Sequence, residues 1–362
     1  MTLINTVAQK IRHFGHHSTL IWKNRSTLPK IAAGYFNTLV LGRTVLRTLE
    51  LTVTPDCNVE CEMCYATKIK DKSRTVMTPD EYGRLWGEAK ELGAFSIIIS
   101  GGEPAMRKDL FSILAQLDPG RSMIALVSNS TLLDRPFLEK LWAHGVTILH
   151  LSLNSIDPAV NDKQRDFTGH FNRVVALIAE AKEVGFEVCL SVVVSHGKLA
   201  EVRAITEFAR EKGASVVYSL ACPTGNWSGA RDELLTPAEY TEVDAYMEAN
   251  PHIRSDWTIN FTMKKECPGG REKLCISPYG DVMGCGMNYI SHGNVREEPL
   301  KAIWARTREW GPFKKRSPKC LIAVDETYLE EYLLPVSGYD TLPLPIEKHP
   351  VHPSAPRKAD AP

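Results

Sequence analysis

The first 49 of the 362 residues contain no aspartate or glutamate, although acidic and basic residues are equally numerous over the whole chain. That first stretch carries seven lysine and arginine residues, so it is positive while the remainder is acidic by the same amount. The overall balance excludes the general positive field on which nucleic-acid binding usually depends. We therefore expect no nucleic-acid partner.

Several familiar sequence signals are also missing. No uninterrupted apolar run is long enough to span a bilayer, and no early apolar stretch precedes a small-residue cleavage site. The chain has no phosphate-binding G-x4-G-K-[ST] loop and no H-E-x-x-H zinc motif. These absences predict a cytoplasmic protein that is neither a P-loop nucleotide hydrolase nor a zinc protease of that type.

Residues 1–48 are predicted to form a basic amphipathic N-terminal arm. Apolar residues recur there at the spacing of a helix, with basic residues between them. The two stretches are Leu3, Val7, Ile11 and Phe14, and then Ile31, Tyr35, Phe36, Leu39 and Val40. Three interpretations remain open: a helical extension packed on the main domain, a peripheral contact with an anionic membrane surface, or an organelle transit peptide.

From residue 49 to 235 the sequence repeats an apolar strand-like run, a turn and a helical run. Predicted strands are Leu49–Thr54, Phe95–Ser100, Met123–Ser128, Thr147–Leu153, Phe186–Val194 and Ser215–Leu220. Predicted helices are 78–92, 108–117, 134–144, 171–184 and 199–212, several of them ending at a glycine. The alternation predicts an α/β fold with a parallel sheet, whose ligands gather at the carboxyl ends of the strands.

The pattern changes after residue 236. A capped helix is predicted at Thr236–Asn250 and a strand at Ile253–Thr262, before a segment rich in glycine and cysteine. From Pro335 onward there are seven prolines in 28 residues, so residues 336–362 are predicted to be a disordered tail.

Seven of the nine cysteines fall into two groups, which favours metal or cluster ligation over disulfides in a chain without an export signal. The groups are Cys57, Cys61 and Cys64, and then Cys267, Cys275, Cys285 and Cys320. Cys189 and Cys222 stand apart in apolar runs, where a cysteine is usually a small buried hydrophobic residue.

The first group lies in CNVECEMCY, residues 57–65, directly after the first predicted strand. Thiolates select zinc, copper(I) or iron–sulfur clusters, and a structural zinc site uses four ligands. Only three cysteines are present in this loop. Three ligands on a four-iron cluster would leave one iron open to an exogenous molecule.

The C-x3-C-x2-C-aromatic spacing resembles that of radical S-adenosylmethionine (SAM) enzymes. The resemblance implies a partial (β/α)6 TIM-like barrel with a [4Fe-4S] cluster on Cys57, Cys61 and Cys64. It further implies that SAM chelates the fourth iron and that an electron donor such as flavodoxin or ferredoxin reduces the cluster. SAM is then cleaved to a 5'-deoxyadenosyl radical, which takes a hydrogen atom from the substrate.

The turn after the second predicted strand strengthens this resemblance. Gly101, Gly102 and Glu103 are similar to the family's GGE motif, which binds the SAM amino group: glycines expose the backbone to a close ligand, and the carboxylate accepts from an ammonium. Further SAM-facing positions implied by the resemblance are Tyr65, Ser128, Asn129, Ser152, Asn154, Ser191 and Val193. Asn154 departs from the acid that the family often has there, and each of these fits equally well as an ordinary strand-end or core residue.

The second cysteine group resembles the C-terminal SPASM/twitch extension of radical SAM enzymes, with Cys267-x7-Cys275-x4-Gly280-x4-Cys285 followed by Cys320. Residues 236–335 are therefore predicted to be a small twitch-like cluster-binding region. A C-x2-C-x5-C-x3-C run, which full SPASM domains use for a second cluster, is lacking. The resemblance implies one auxiliary [4Fe-4S] cluster on the four cysteines, and the alternative is a zinc site or plain buried cysteines.

These features together predict a radical SAM oxidoreductase in which the auxiliary cluster relays an electron. Oxidation, dehydrogenation or epimerisation of a small-molecule, sugar-like or lipid-linked substrate is the expected reaction. Cys222, after the sixth strand, is a candidate hydrogen-atom donor. The alternatives are a peptide (RiPP) maturase of the same superfamily and a non-catalytic iron–sulfur or zinc-binding protein.

Overall fold

A computed structural model describes residues 24–250, 252–254 and 261–353 of the chain. The first apolar and basic stretch of the predicted arm, residues 3–14, lies outside the described residues. The second stretch forms helix α1, Leu28–Leu39, which begins at a Thr27 cap followed by Pro29.

Within the described residues, one sheet of eleven strands organises the chain, in the order β11-β10-β9-β8-β1-β2-β3-β4-β5-β6-β7. The first six strands are β1 (Thr48–Thr52), β2 (Ser96–Ser100), β3 (Met123–Ser128), β4 (Val146–Ser152), β5 (Glu187–Val194) and β6 (Ser215–Leu220). Neighbouring strands among these six pair in parallel, as the sequence predicts. The fold is therefore the predicted α/β partial barrel.

Helices connect these strands and cover their outer face. They are α2 (Pro79–Glu91), α3 (Leu110–Gln116), α4 (Arg135–Ala143), α5 (Pro158–Arg165), α6 (His170–Val184) and α7 (Leu199–Glu211). α2 opens with a capping box between Thr78 and Glu81, and positive φ angles at the glycines that follow α2, α4, α6 and α7 end those helices as predicted. α5 was not predicted from the sequence.

Side chains point alternately to the two sides of each strand, so the barrel has an apolar outer face and a polar inner face. On β1, Leu49 and Leu51 are fully buried under the helices, whereas Glu50 points to the other side and is partly exposed. On β5, Leu190 and Val192 pack outward while Ser191 lies on the inner face. The inner face is therefore free to hold polar ligands.

The C-terminal region adds its strands to the same sheet at the β1 side. Helix α8 (Pro237–Ala249) and β7 (Ile253–Arg254) complete the β6 side, and β8 (Lys273–Ile276) pairs in parallel with β1. Then follow β9 (Asp281–Met283), β10 (Ile290–Asn294), α9 (Leu300–Glu309), α10 (Leu321–Val324), α11 (Glu326–Tyr328) and β11 (Leu344–Pro345). The second cysteine group thus lies against the barrel.

The structure corrects two predictions in this region. The predicted strand Ile253–Thr262 is only β7 in the described residues; 255–260 lie outside them, and Phe261 and Thr262 form a turn. The predicted disorder of residues 336–362 is wrong as far as residue 353, because apolar residues between the prolines fill the core. Val336, Leu342, Leu344 and Ile346 are at most 3% exposed, and β11 pairs with β10. Residues 354–362 lie outside the described residues.

Candidate functional site

The loop that follows β1 carries three thiols of different exposure. Cys57 is exposed, Cys61 is buried and Cys64 lies between these extremes. Partial shielding from solvent raises the pKa of Cys57, burial raises the pKa of Cys64, and the neighbouring Cys61 thiol raises both further. The three predicted ligands therefore lie near one another after the first strand, where each of Cys57 and Cys64 is affected by the Cys61 thiol.

Residues from the far side of the barrel hold the backbone of this loop. Asn226 donates from its side chain to the Cys61 carbonyl at 2.8 Å and from its backbone to the Cys64 carbonyl at 2.9 Å. The Tyr289 hydroxyl donates to the Tyr65 carbonyl. Sequence reasoning missed Asn226 and Tyr289; the one signal for the former is the Gly–Asn pair after the sixth strand.

Two side chains direct N–H groups at the loop sulfurs. Asn129 Nδ2 lies 3.6 Å from Cys57 Sγ, and Arg165 Nη1 lies 3.8 Å from Cys61 Sγ. Arg165 is only 8% exposed, so its positive charge acts on the thiols through little solvent. Such donors stabilise thiolates. Arg165, at the end of the unpredicted helix α5, was also missed.

The predicted GGE turn packs against this loop. The Gly102 amide donates to the Thr54 carbonyl and the Glu103 amide to the Asp56 carbonyl, each at 2.8 Å. A Cβ on Gly102 would lie 2.2 Å from the Asp56 carbonyl oxygen, and one on Gly101 would lie 2.8 Å from the Thr54 carbonyl oxygen. The glycines are therefore required for contact with the loop of Cys57, Cys61 and Cys64, the thiol loop. Their contact with SAM remains a prediction.

The carboxylate of Glu103 is completely buried and joins the β2 turn to the end of β3. Its Oε1 accepts from Ser128 Oγ at 2.9 Å and from the Ala105 amide at 3.0 Å, and its Oε2 accepts from the Asn129 amide at 2.7 Å. Burial raises its pKa, although these three hydrogen bonds oppose the rise. Since a carboxylate has about four acceptor positions, most are already occupied.

The two predicted site residues at the end of β3 are buried beside the thiol loop. Ser128 and Asn129 are 2% and 7% exposed. Asn129 Nδ2 also donates to Asn58 Oδ1 at 3.0 Å, and its carbonyl oxygen lies 2.9 Å from His170 Nε2. Burial lowers the pKa of His170 to about 4, so the ring stays neutral at ordinary pH. These residues hold the loop in place.

Four further predicted positions meet where β4 and β5 end. Ser152 and Ser191 are register partners, and Asn154 Oδ1 accepts from the Val193 amide at 3.2 Å. Asn154 Nδ2 also lies 3.1 Å from the Met63 sulfur in the thiol loop. Tyr65 is not part of this group: burial raises the pKa of its hydroxyl, and Glu50, Cys275 and Cys64 raise it further while Lys273 opposes the rise.

The inner face of the barrel carries ionisable groups as well as hydroxyls. Glu50 Oε2 and Lys273 Nζ form an ion pair at 2.8 Å, with side chains 12% and 8% exposed. On the opposite strands, Ser191 Oγ lies 3.4 Å from His150 Nδ1. The barrel therefore presents both charges and neutral hydrogen-bonding groups to a bound molecule.

Three members of the second cysteine group share one cavity, and the fourth lies beside it. Cys267, Cys285 and Cys320 line one cavity between β6 and the β8–β9 hairpin, together with Lys273 and Met287 among others. Cys275 is not on the wall of this cavity. Its Sγ lies 3.8 Å from Thr52 Oγ1 of β1, and it is fully buried. Three of the four predicted auxiliary ligands are thus brought together.

Cys222 lies beside the cavity that the second group of thiols lines. Its Sγ is 3.1 Å from Thr224 Oγ1 and 3.3 Å from the Met287 sulfur, and Met287 lies on the wall of the second cavity. Burial raises its pKa to about 11. Its role as a hydrogen-atom donor remains a prediction, while the buried position of Cys189 is confirmed by its 0% exposure.

Family comparisons match both halves of this arrangement. The model of the radical SAM superfamily matches residues 51–209, which include the thiol loop and the GGE turn. The model of the SPASM iron–sulfur cluster-binding domain matches residues 267–321, which include Cys267, Cys285 and Cys320.

Individual relatives differ in the reactions that their names describe. The AdoMet-dependent heme synthase of Methanosarcina barkeri is 27% identical over 71% of this chain and 82% of the relative. The PqqA peptide cyclase of Granulibacter bethesdensis is 25% identical over 73% of this chain and 77% of the relative. Streptococcus suis SuiB bound to S-adenosylmethionine has a similar fold, with a TM-score of 0.59 and 17% identity over 72% of this chain and 66% of SuiB.

Proposed function

Because the chain belongs to the radical SAM superfamily and has a C-terminal auxiliary cluster region, we propose that its two thiol groups hold two [4Fe-4S] clusters. Cys57, Cys61 and Cys64 are the proposed ligands of the SAM-binding cluster, and Cys267, Cys285 and Cys320 those of the auxiliary cluster. Cys275 is a fourth candidate for the auxiliary site, since the Cys285 thiol acts on its pKa although its Sγ lies 3.8 Å from Thr52 Oγ1.

The thiol loop fits a cluster with one open iron. The Cys61 thiol acts on the pKa of both Cys57 and Cys64, and Asn129 and Arg165 direct N–H groups at two of the sulfurs. The observation that carries the proposal is the packing of the GGE turn on this loop, where the Glu103 amide donates to the Asp56 carbonyl next to Cys57. The proposed ligand thiols and the proposed SAM-binding turn are thus neighbours.

With SAM bound, the reduced cluster supplies a 5'-deoxyadenosyl radical that removes a hydrogen atom from a substrate. The residues of the chain bind that substrate inside the barrel. The Glu50–Lys273 pair and the His150–Ser191 pair suit a molecule with several polar groups. We infer that this molecule is small and polar or lipid-linked, and that it is oxidised, dehydrogenated or epimerised.

A peptide substrate is the second candidate. The observation that favours it is the similarity to the PqqA peptide cyclase, which extends through most of both chains. Deuterium transfer distinguishes the two candidates, because the radical carries the abstracted atom into 5'-deoxyadenosine. Small-molecule, lipid and peptide fractions from cells grown in deuterated medium would each be incubated with the enzyme, SAM and reductant. We expect deuterated 5'-deoxyadenosine with the small-molecule or lipid fraction; transfer from the peptide fraction alone would establish the alternative.

The cluster assignment is tested by anaerobic reconstitution with iron and sulfide, followed by iron analysis and measurement of 5'-deoxyadenosine after reduction. We expect about eight irons per chain for two [4Fe-4S] clusters. Replacing Cys57, Cys61 and Cys64 together by alanine should remove half of the iron and abolish SAM cleavage. Cys189→Ala is the matched control, since this thiol is buried on β5 outside both groups. Full iron loading without SAM cleavage in the unmodified protein, or zinc in place of iron, would contradict the proposal.

We also propose that helix α1 rests on an anionic membrane surface. Gly34 is the one buried residue of this helix, while Phe36, Leu39 and Val40 at its end are 55%, 51% and 65% exposed. Arg25 and Arg43, at either end of the helix, are exposed. Apolar residues beside cations are the composition of a helix that inserts into an anionic headgroup layer. Among the described residues, no helix combines the length and the apolar character needed to cross a bilayer.

Flotation with vesicles tests this contact. The protein should float with vesicles that contain phosphatidylglycerol and not with pure phosphatidylcholine, and high salt should weaken the binding. Combined Phe36→Ser, Leu39→Ser and Val40→Ser substitutions should reduce flotation, whereas Leu132→Ser with Val160→Ser, at exposed apolar positions elsewhere, should not. Equal flotation of the two variants would rule out α1 as the attachment site.

A further inference from the structure

Tyr328, at the end of α11, has a buried hydroxyl without a hydrogen-bond partner in the described part of the chain. The residue is 1% exposed. Leaving a buried hydroxyl unpaired costs about 1–3 kcal/mol, so native structures rarely keep one without a purpose. Something that the protein chain itself does not supply is therefore expected to accept from this group.

The surroundings of the hydroxyl indicate what the acceptor is. After burial itself, the groups that act on the pKa of Tyr328 are Cys285, Cys267 and Cys320, in that order, and all three raise it. These are the three thiols on the wall of the second cavity. The remaining neighbour that acts on it is another tyrosine, Tyr332. The hydroxyl therefore lies close to the proposed ligands of the auxiliary cluster.

Packing fixes the ring of Tyr328 in this position. It stacks on Tyr332, with ring centroids 5.5 Å apart and planes 22° apart, and it lies 6.5 Å from Phe313, which lines the same cavity. The backbone amide of Tyr328 donates to Asp325 Oδ1 at 2.9 Å. The oxygen is thus held in place, and rotation about the C–O bond lets the hydrogen turn toward a sulfur.

We propose that the Tyr328 hydroxyl donates a hydrogen bond to a sulfur of the auxiliary cluster and raises the reduction potential of that cluster, an inference that rests on the ligands proposed above. Reduction adds negative charge to a cluster, and a donor to its sulfurs stabilises the reduced state more than the oxidised one. Burial keeps the hydroxyl protonated, as a donor must be. The chain thereby adjusts how readily the auxiliary cluster takes an electron.

The test compares Tyr328→Phe with Tyr332→Phe in the full-length, doubly loaded protein. Both variants remove one hydroxyl from the same aromatic cluster, but Cys267, Cys285 and Cys320 are not among the groups that act on Tyr332. Potentiometric titration followed by electron paramagnetic resonance gives the midpoint of each cluster. The SAM-binding cluster is recognised by the change in its signal on addition of SAM.

We expect Tyr328→Phe to lower the reduction equilibrium constant of the auxiliary cluster about tenfold, a shift of ~59 mV to more negative potential. The other cluster and the iron content should not change, and Tyr332→Phe should leave both midpoints in place. An exchangeable proton coupled to the auxiliary cluster, seen by electron nuclear double resonance, should disappear in Tyr328→Phe only.

Three outcomes would overturn the inference. An unchanged midpoint would show that no such hydrogen bond forms, and equal shifts in the two variants would show a general effect of packing. Loss of iron in Tyr328→Phe would make the tyrosine a ligand rather than a donor. Failure of the underlying ligand assignment is separately visible, because Cys285→Ala would then retain the full iron content.

Discussion

Gly102 is the residue at which the thiol loop and the GGE turn approach each other most closely. A Cβ there would lie 2.2 Å from the Asp56 carbonyl oxygen and 2.9 Å from the Cys57 amide nitrogen. Both are backbone atoms, so neither can make room for a Cβ unless the thiol loop moves. We expect Gly102→Ala to reduce 5'-deoxyadenosine formation at least tenfold and to lower the iron content toward that of the auxiliary cluster alone.

Gly87 provides the matched control for this substitution. It lies within α2, and a Cβ there meets no atom within 4 Å. Alanine should therefore stabilise the helix by about 0.5–1 kcal/mol and leave SAM cleavage unchanged. If Gly102→Ala had the same iron content and the same rate of SAM cleavage as Gly87→Ala, the close contact of Gly102 with the thiol loop would not be needed for the cluster.

His170 gives the protein a pH-dependent stability that belongs to a single residue. Asn161 Nδ2 lies 2.9 Å from its Nδ1 and donates to it, so the proton is on Nε2, which faces the Asn129 carbonyl. The pKa falls from 6.5 to about 4 because the ring is buried. Between pH 6.5 and about pH 4 the imidazole ring is protonated in the unfolded chain and neutral in the folded chain. The free energy of unfolding should therefore fall as the pH decreases from 6.5 toward 4.

Urea denaturation at a series of pH values measures this effect. His170→Gln should flatten the decrease in unfolding free energy below pH 6.5, whatever it does to the absolute stability. His196 is the comparison, since Glu239 raises its pKa and its contribution is lost as the pH rises through that value. A pH dependence that is identical in His170→Gln and the unmodified protein would contradict the assignment.

At the scale of residues, the sequence does not predict which site residues contact each other. The family resemblance makes Glu103 and Ser128 candidate site residues, but it does not indicate that they form a hydrogen bond across 25 positions of the chain at 2.9 Å. Arg165 and Asn226 carry no local pattern that marks them as partners of the thiol loop. Such partners follow from the three-dimensional fold, which brings distant segments to one strand end.

At the scale of elements, the C-terminal strand β11 lies in a segment that was predicted from the sequence to be disordered. Leu344 is 2% exposed, and its amide donates to the Tyr289 carbonyl at 2.7 Å. Because Tyr289 in turn holds the thiol loop, β11 supports the site. We expect Leu344→Ala to lower the free energy of unfolding by about 2–5 kcal/mol, as measured by chemical denaturation.

The neighbouring Val351 is 43% exposed, so Val351→Ala should change stability by less than about 0.5 kcal/mol. Equal stabilities of the two variants would show that β11 is not part of the cooperative core. A smaller yield of 5'-deoxyadenosine in Leu344→Ala than in Val351→Ala is expected if Tyr289 moves with the strand.

Elements with a strong apolar pattern were predicted correctly, and those without one were not. Each of β1 to β6 lies within one or two residues of its predicted position. Helix α5, with the sequence PAVNDKQR, offers few apolar residues, and its start depends on the Asp157 cap. The two-residue strand β11 forms because β10 lies beside it, so the sequence of β11 alone does not predict a strand there.

At the scale of the whole molecule, the ion pair between Glu50 and Lys273 joins the barrel to the cluster region. Glu50 lies on β1 and Lys273 on β8, and these strands pair in parallel. Removing Lys273 takes this cation from the largely buried Glu50 carboxylate, which costs about 3–5 kcal/mol, whereas removing both side chains avoids that cost. The pair therefore couples two regions that are distant in sequence.

A double-mutant cycle measures that coupling. Glu50→Gln and Lys273→Met should each destabilise the loaded protein strongly, and the double variant should lose much less than the sum. The exposed pair Arg203–Glu242, with side chains 47% and 50% exposed, should give a coupling below about 1 kcal/mol in a parallel cycle. Additive effects at Glu50 and Lys273 would show that the two charges do not depend on each other. Coupling would show that the pair stabilises the contact between barrel and cluster region, because the pair exists only while β1 and β8 remain side by side.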